Sequence, residues 1–309
     1  MEEVIMYVVM FVISLIVLLK SSDFFIDSAE KIGLSLGISP FIIGVTIVAF
    51  GTSLPELATS VASVLANDSA IVVSNVVGSN ITNIALVLGL IAVIGRKIEL
   101  EYNVWHIDMP FLWGSAFLLW LVLQDGTFAF YEALLFLAGI VVFLAYSFKA
   151  DKADATDRPV VAPITYFILI GGGIGVWLGA EYTIVAVKEL SLRAGISPEL
   201  IAQTVIAFGT SLPEIVVSIA AVRKGQASIA IGNVLGSNIF NTYVVMAISS
   251  FFGSLIIPSI IMTTSIPIMI IVTVLFGVIT NNRKITRWEG FLLLLFYVFF
   301  LMDNINRVV

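Results

Sequence analysis

The sequence predicts an all-α integral membrane protein with ten transmembrane helices arranged as two inverted five-helix repeats. Three observations carry that prediction: the composition, the length of the apolar runs, and an internal duplication. Of 309 residues, 60% are hydrophobic and 12% charged, with a mean hydropathy of +1.10. Charge at that level is about half the soluble average. Fifteen Lys and Arg with 21 Asp and Glu cannot cover the surface of a soluble globule of this length. A soluble enzyme and a disordered chain are both excluded. The chain has no cysteine, which removes disulfides, thiolate chemistry and Cys-based metal sites. A net charge of −6 argues against a nucleic-acid partner.

A membrane helix needs roughly 20 apolar residues. Runs of that length fall at about 4–20, 39–65, 70–94, 104–123, 127–147, 162–187, 197–221, 227–253, 256–279 and 287–304. They are continuously apolar, whereas barrel strands alternate with period two, so helices are expected. The first run lacks a small-residue cleavage site and is read as a span. It can extend through 21–32, because Asp23, Asp27 and Glu30 share one helical face. The one conspicuously polar stretch, Lys149–Pro159 (KADKADATDRP), reads as a solvated linker. The expected organisation is a first five-helix repeat at 1–148, a cytoplasmic linker at 149–161 and a second, inverted five-helix repeat at 162–309.

Gly37–Glu56 (GISPFIIGVTIVAFGTSLPE) and Gly195–Glu214 (GISPELIAQTVIAFGTSLPE) agree at 14 of 20 positions, at an offset of 158. At the same offset Ile71–Asn83 (IVVSNVVGSNITN) agrees with Ile229–Asn241 (IAIGNVLGSNIFN) at 8 of 13 positions. Two matches at one offset mean a duplication without insertion between them. Five spans per half is an odd number, so the second half must start from the opposite side of the membrane, as in many secondary transporters. With the N-terminus outside, the inner loops hold Lys31, Arg96, Lys97, Lys149, Lys152, Arg158, Arg223, Lys224, Arg283, Lys284 and Arg287. The outer side holds Lys188, Arg193 and Arg307. That bias places the chain in the cell membrane with both termini extracellular.

GTSLPE occurs in the middle of the second and seventh runs, at Gly51–Glu56 and Gly209–Glu214. A carboxylate at membrane depth is costly and is normally paired or functional. Each Glu follows a proline, Pro55 or Pro213, which donates no backbone hydrogen bond. The carbonyls of Ala49 to Ser53 and of Ala207 to Ser211 are therefore expected to leave the helix ladder and line a cavity. Carbonyl, hydroxyl and carboxylate oxygens together suit a hard cation such as Ca2+. The next helix adds Asn75, Ser79 and Asn83 on one face, repeated as Asn233, Ser237 and Asn241. Gly78 and Gly236 beside these stripes would let helices approach closely. A two-fold meeting of the halves would give an oxygen cage of formal charge −2. Asp23 and Glu181, also equivalent at offset 158, are placed at an interface or vestibule, and the lone His106 at a surface or cap.

The pair GTSLPE and GSNIxN, present twice, resembles the α-repeats of the cation/Ca2+ exchanger superfamily, most closely the prokaryotic Na+/Ca2+ exchangers. The resemblance covers essentially the whole chain. It implies ten helices, with the second, third, seventh and eighth forming the ion core and the first and sixth sliding across it. By motif position it implies Glu56 and Glu214 as Ca2+ carboxylates, aided by the carbonyls of Thr52 and Thr210. It implies Na+ sites from the Ala49 and Ala207 carbonyls, Ser53, Ser211, Ser79, Ser237 and the Glu oxygens, with Asn83 and Asn241 closing the middle. Ca2+ and Na+ are then transported substrates, with no cofactor, no catalytic residue and no obligate protein partner. The H+/Ca2+ branch carries GNxxE where this chain has GTSLPE. Some relatives carry Asp at the position of Asn241, which argues against K+ dependence, and Ser74 stands where the second half has Gly232. The large cytoplasmic loop of the animal exchangers is missing.

Two other classes fit less well. A cation channel also uses Glu and carbonyl oxygens, but channels are usually built by several subunits around a pore. An intramembrane hydrolase needs a general base near its Ser, and a metalloprotease needs a motif such as HExxH; neither is present. The expected function is an electrogenic secondary antiporter that extrudes Ca2+ as Na+ flows in.

Overall fold

The computed structural model describes residues 2–100, 103–105, 108–150, 160–194 and 209–306. Its helical segments are α1 (Glu2–Ser35), α2 (Pro40–Leu65), α3 (Ala70–Gly95), α4 (Asp108–Val122), α5 (Phe130–Ala150), α6 (Ile164–Arg193), α7 (Leu212–Arg223), α8 (Ala227–Ser250), α9 (Ile261–Thr280) and α10 (Arg287–Asn306). Among the described residues, seven helices are long and apolar enough to cross a membrane: α1, α2, α3, α5, α6, α8 and α9. The first runs on to Ser35, as its acidic face allowed. For the fourth expected run the described helix is Asp108–Val122, 15 residues, and Val104 and Trp105 lie in a turn. The start of the seventh run, together with Ala207, His106 and the linker's centre, lies outside the described residues.

The fold is all-helical apart from its loops. Two short antiparallel strand pairs join the loops: β1 (Lys97–Glu99) with β4 (Lys284–Thr286), and β2 (Thr127–Phe128) with β3 (Leu255–Ile256). Each satisfies backbone groups where helices end, and two or three residues are too few to leave a periodic signal in the sequence.

Local sequence explains the helix limits. Ser39 caps α2 by accepting the Ile42 N–H at 3.3 Å, and Pro40 occupies the first helical position. Asn67 (φ +63) and Gly225 (φ +78), equivalent at offset 158, end α2 and α7 in the left-handed region. π-helical turns interrupt α2 at Gly44–Val48, α3 at Thr82–Leu88, α8 at Asn241–Val245 and α9 at Ile261–Ser265.

Two close crossings set the frame. Against α2, a Cβ on Gly232 would overlap the Phe41 carbonyl and one on Gly236 the Val45 carbonyl, so only glycine lets α8 come this near. Against α1, Gly172 meets Phe25 and Gly179 meets Leu18. Thr183 donates to Ser14 Oγ at 2.9 Å, and Arg193 pairs with Glu3 at 2.7 Å. These contacts run in opposite directions along the two chains, so α1 and α6 form one antiparallel pair. Its outer faces carry exposed Val, Ile, Leu and Phe side chains suited to lipid, whereas α3 and α8 are the most buried of the long helices.

Candidate ion-binding site

The motif breaks its helix where the sequence indicated. Ser53 (φ −89, ψ 2) leaves the helical region, and α2 restarts at Leu54 with Pro55 and Glu56 in its new first turn. Ser211 (φ −86, ψ 3) precedes Leu212, Pro213 and Glu214 in the same way. Proline suits this place because its missing N–H would be unpaired there anyway. A helix start carries partial positive charge, so each carboxylate sits at the end of the helix that favours it. Both Glu56 and Glu214 are 0% exposed.

The freed carbonyls are fewer than expected. The Ala49 carbonyl still accepts the Ser53 N–H at 3.0 Å and the Thr52 hydroxyl at 3.3 Å. The Ser53 carbonyl accepts Leu57 N–H at 3.2 Å, and that of Ser211 accepts Ile215 N–H at 3.1 Å. The backbone steps across the break with these bonds intact, and proline itself has no N–H to donate.

The two halves meet crosswise. Thr52 Oγ1 donates to Asn233 Oδ1 at 3.1 Å and lies 3.4 Å from Ser237 Oγ. In mirror fashion, Thr210 Oγ1 donates to Asn75 Oδ1 at 3.2 Å and lies 3.3 Å from Ser79 Oγ. Ser53 Oγ donates to Glu214 Oε1 at 3.3 Å. Each motif thus grips the following helix of the other half. Within each half, Asn75 Nδ2 donates to Ser60 Oγ at 3.1 Å and to the Glu56 carbonyl at 3.3 Å, and Asn233 Nδ2 donates to Ser218 Oγ at 3.0 Å. Ser60 and Ser218 escaped the sequence reading. Their signal was present, since each lies one helical turn after its Glu and the two are equivalent at offset 158.

What remains unpaired defines the chemistry. Both oxygens of Glu56, Oε2 of Glu214, Oγ of Ser211 and the side-chain amides of Asn83 and Asn241 are buried without a hydrogen-bond partner. Buried polar groups are seldom left so in native proteins. Asn83 and Asn241 sit at the π-helical turns of α3 and α8, a distortion frequent at functional sites. Asn80 Nδ2 donates to Thr242 Oγ1 at 2.9 Å and to the Asn238 carbonyl at 3.4 Å, joining the two helices one turn earlier. Neither Asn83 nor Asn241 bonds to a carboxylate. Among the described residues no group of three His, Cys, Asp or Glu is placed to hold a metal ion. The site is therefore two carboxylates set among hydroxyl and amide oxygens, a set that suits hard cations.

A cavity of about 310 Å³ lined by Thr59, Ala62, Glu181, Ile184, Thr210 and Pro213 reaches the site from the side of Glu3 and Arg193. Glu181 lines this cavity. On the opposite side, Lys224 Nζ is 2.6 Å from Asp27 Oδ1 and 3.6 Å from Asp23 Oδ1, and α1 packs along α7.

Paired buried carboxylates at two broken helices, bordered by a cavity, place this chain among membrane proteins that carry cations. The comparisons with known proteins specify which. The sequence matches the family described as sodium/calcium exchanger protein twice, over residues 6–149 and 164–305. It is 31% identical over 336 residues to the sodium/calcium exchanger MaX1 of Methanosarcina acetivorans, covering 94% of this chain and 96% of that one. An uncharacterized membrane protein of Methanocaldococcus jannaschii is 34% identical over 293 residues, covering 93% and 94%. The solved structure of the sodium-calcium exchanger NCX_Mj soaked with 100 mM Na+ and 10 mM Sr2+ superposes with a TM-score of 0.85 at 33% identity, covering 96% and 97%. The chain belongs to the sodium/calcium exchanger family.

Proposed function

We propose that the chain exchanges Na+ for Ca2+ across the cell membrane by alternating access. The observation that carries this is the crosswise cage: Glu56 and Glu214 are both buried with unpaired oxygens, Ser53 of the first half reaches Glu214, and Thr52 and Thr210 reach Asn233 and Asn75 of the opposite halves. Glu56 and Glu214 hold Ca2+, with the carbonyls of Thr52 and Thr210. Ser53, Ser211, Ser79, Ser237, the carbonyls of Ala49 and Ala207, and the amides of Asn83 and Asn241 complete the Na+ positions. The chain crosses the membrane ten times, as repeats 1–148 and 162–309 joined by a cytoplasmic linker at 149–161, with both termini extracellular. The cavity beside Glu181 then opens outward, and the Lys224 side faces the cytoplasm.

The cage charge is −2, since asparagine is neutral, so one Ca2+ or two Na+ would balance it. The neutral oxygens outnumber what two Na+ need, and a third Na+ on them leaves the loaded core at +1. That charge feels the membrane potential, about 2.3 kcal/mol per 100 mV for a full crossing. A negative interior therefore drives Na+ influx and Ca2+ extrusion. The test is Ca2+ uptake by Na+-loaded proteoliposomes, with the potential clamped by K+ and valinomycin. Uptake should require the outward Na+ gradient and should rise when the interior is made positive and fall when it is made negative, because the cycle that loads Ca2+ carries positive charge out. No uptake would refute the antiport, and uptake that ignores the potential would refute the third Na+.

A further inference from the structure

The acidic end of α1 is fastened to the turn between α7 and α8. Lys224 Nζ contacts Asp27 at 2.6 Å and donates to the Asp23 carbonyl at 3.0 Å, and Gln226 Nε2 donates to Glu30 Oε2. None of these groups belongs to the ion cage. They tie the α1–α6 pair to the core on the closed side.

The equivalent turn in the first half is Ala66–Asn67–Asp68, between α2 and α3. Its register is fixed by backbone as well as sequence, because Asn67 and Gly225 share positive φ at offset 158. At that offset Glu30 corresponds to Lys188 on α6, and Gln226 corresponds to Asp68. The observed Glu30–Gln226 contact therefore maps, residue for residue, onto Lys188 and Asp68, an opposite-charge pair. Here those two are apart: both are exposed, and neither forms an ion pair with a described residue. The cavity that separates α2 from α6 lies just below them, lined by Ala62 and Ile184.

We propose that Lys188 and Asp68 form an outer latch that closes when the inner latch of Lys224, Asp23, Asp27, Glu30 and Gln226 opens. This rests on the alternating-access reading, in which each half adopts in turn the conformation of the other. The two latches differ where the halves differ. Lys224 and Asp27 correspond to Ala66 and Val185, so the outer latch has one ion pair where the inner has an ion pair and a second polar link. The inner-closed form is the one at rest.

The chain lacks cysteine, so crosslinking reads this directly. Glu30→Cys with Gln226→Cys, and Asp68→Cys with Lys188→Cys, are each oxidised in membranes and scored by gel mobility, which needs no transport. Both pairs should form disulfides, each should stop Ca2+ exchange until reduced, and the four-cysteine chain should form one bond or the other in any molecule. Absence of a 68–188 disulfide, or both bonds in one molecule, would overturn the latch. As a second arm, Lys188→Glu should slow exchange several-fold and Lys188→Glu/Asp68→Lys should restore it; no rescue would also overturn it. Failure of the parent reading is distinguishable: there the unaltered protein does not exchange Na+ for Ca2+, while a failed latch leaves that exchange intact.

Discussion

Glu214→Gln keeps the shape of its side chain and removes one of the two cage charges. The Gln carbonyl can still accept the Ser53 hydroxyl, which reaches Glu214 Oε1 at 3.3 Å. Carboxylate oxygens approach Ca2+ at about 2.4 Å. With an effective dielectric of about 20, the gross attraction of one charge for Ca2+ is about 14 kcal/mol, and about 7 for Na+. The amide dipole and the reduced desolvation offset most of this. If four-fifths is offset, about 2.8 kcal/mol remains for Ca2+ and about 1.4 for Na+, or about 100-fold and tenfold in Kd. A ligand at about 100 times its Kd stabilises the folded state by about 2.7 kcal/mol. At the same Ca2+ concentration the variant would gain only about 0.4 kcal/mol by that relation. The assay is thermal unfolding of the purified protein in detergent, with and without Ca2+. Without ions the variant should unfold no lower than the unaltered chain, because it buries one unpaired charge fewer. The Ca2+-induced rise in Tm should nearly vanish while a rise with Na+ survives. A Ca2+-induced rise equal to that of the unaltered protein would refute the role of Glu214, and the same test applies to Glu56→Gln.

Gly236→Ala places a methyl group against the Val45 carbonyl and must force α2 and α8 apart; it should cost about 1–3 kcal/mol, seen as a lower Tm. Thr52→Val leaves Asn233 Oδ1 without its donor, and Thr210→Val does the same to Asn75 Oδ1. Each should cost about 1–3 kcal/mol and weaken Na+ binding, and strongly unequal losses in Na+ titrations would contradict the crosswise symmetry. Ala150→Cys and Asn306→Cys should be labelled by impermeant reagents from opposite faces of the membrane, and labelling from one face would contradict the inverted repeats.

Much of the site was legible because its chemistry is local in sequence. GTSLPE carries the break, the proline and the carboxylate within six residues, and the break at Ser53 and Ser211 follows from that run alone. The pairing of Thr52 with Asn233 was not legible, because duplication tells which residues correspond and not which ones meet. Those two lie 181 positions apart and come together only once α8 has packed on α2 through Gly232 and Gly236. The π-helical turns at Asn83 and Asn241 leave no mark in composition either, since Thr-Asn-Ile and Asn-Thr-Tyr serve an ordinary helix as well.

The strongest limit of the sequence is also the most informative. Its motifs are nearly identical in the two halves, yet a cavity borders Glu181 while Lys224 pairs with Asp27. Identical halves alone would give two states of equal energy. The preference for one must come from positions where the repeats differ, and Lys224 against Ala66, Asp27 against Val185 and Glu30 against Lys188 are such positions. In a duplicated transporter the matched residues frame the shared site, and the unmatched ones at the helix ends are where the two faces of the molecule are free to differ.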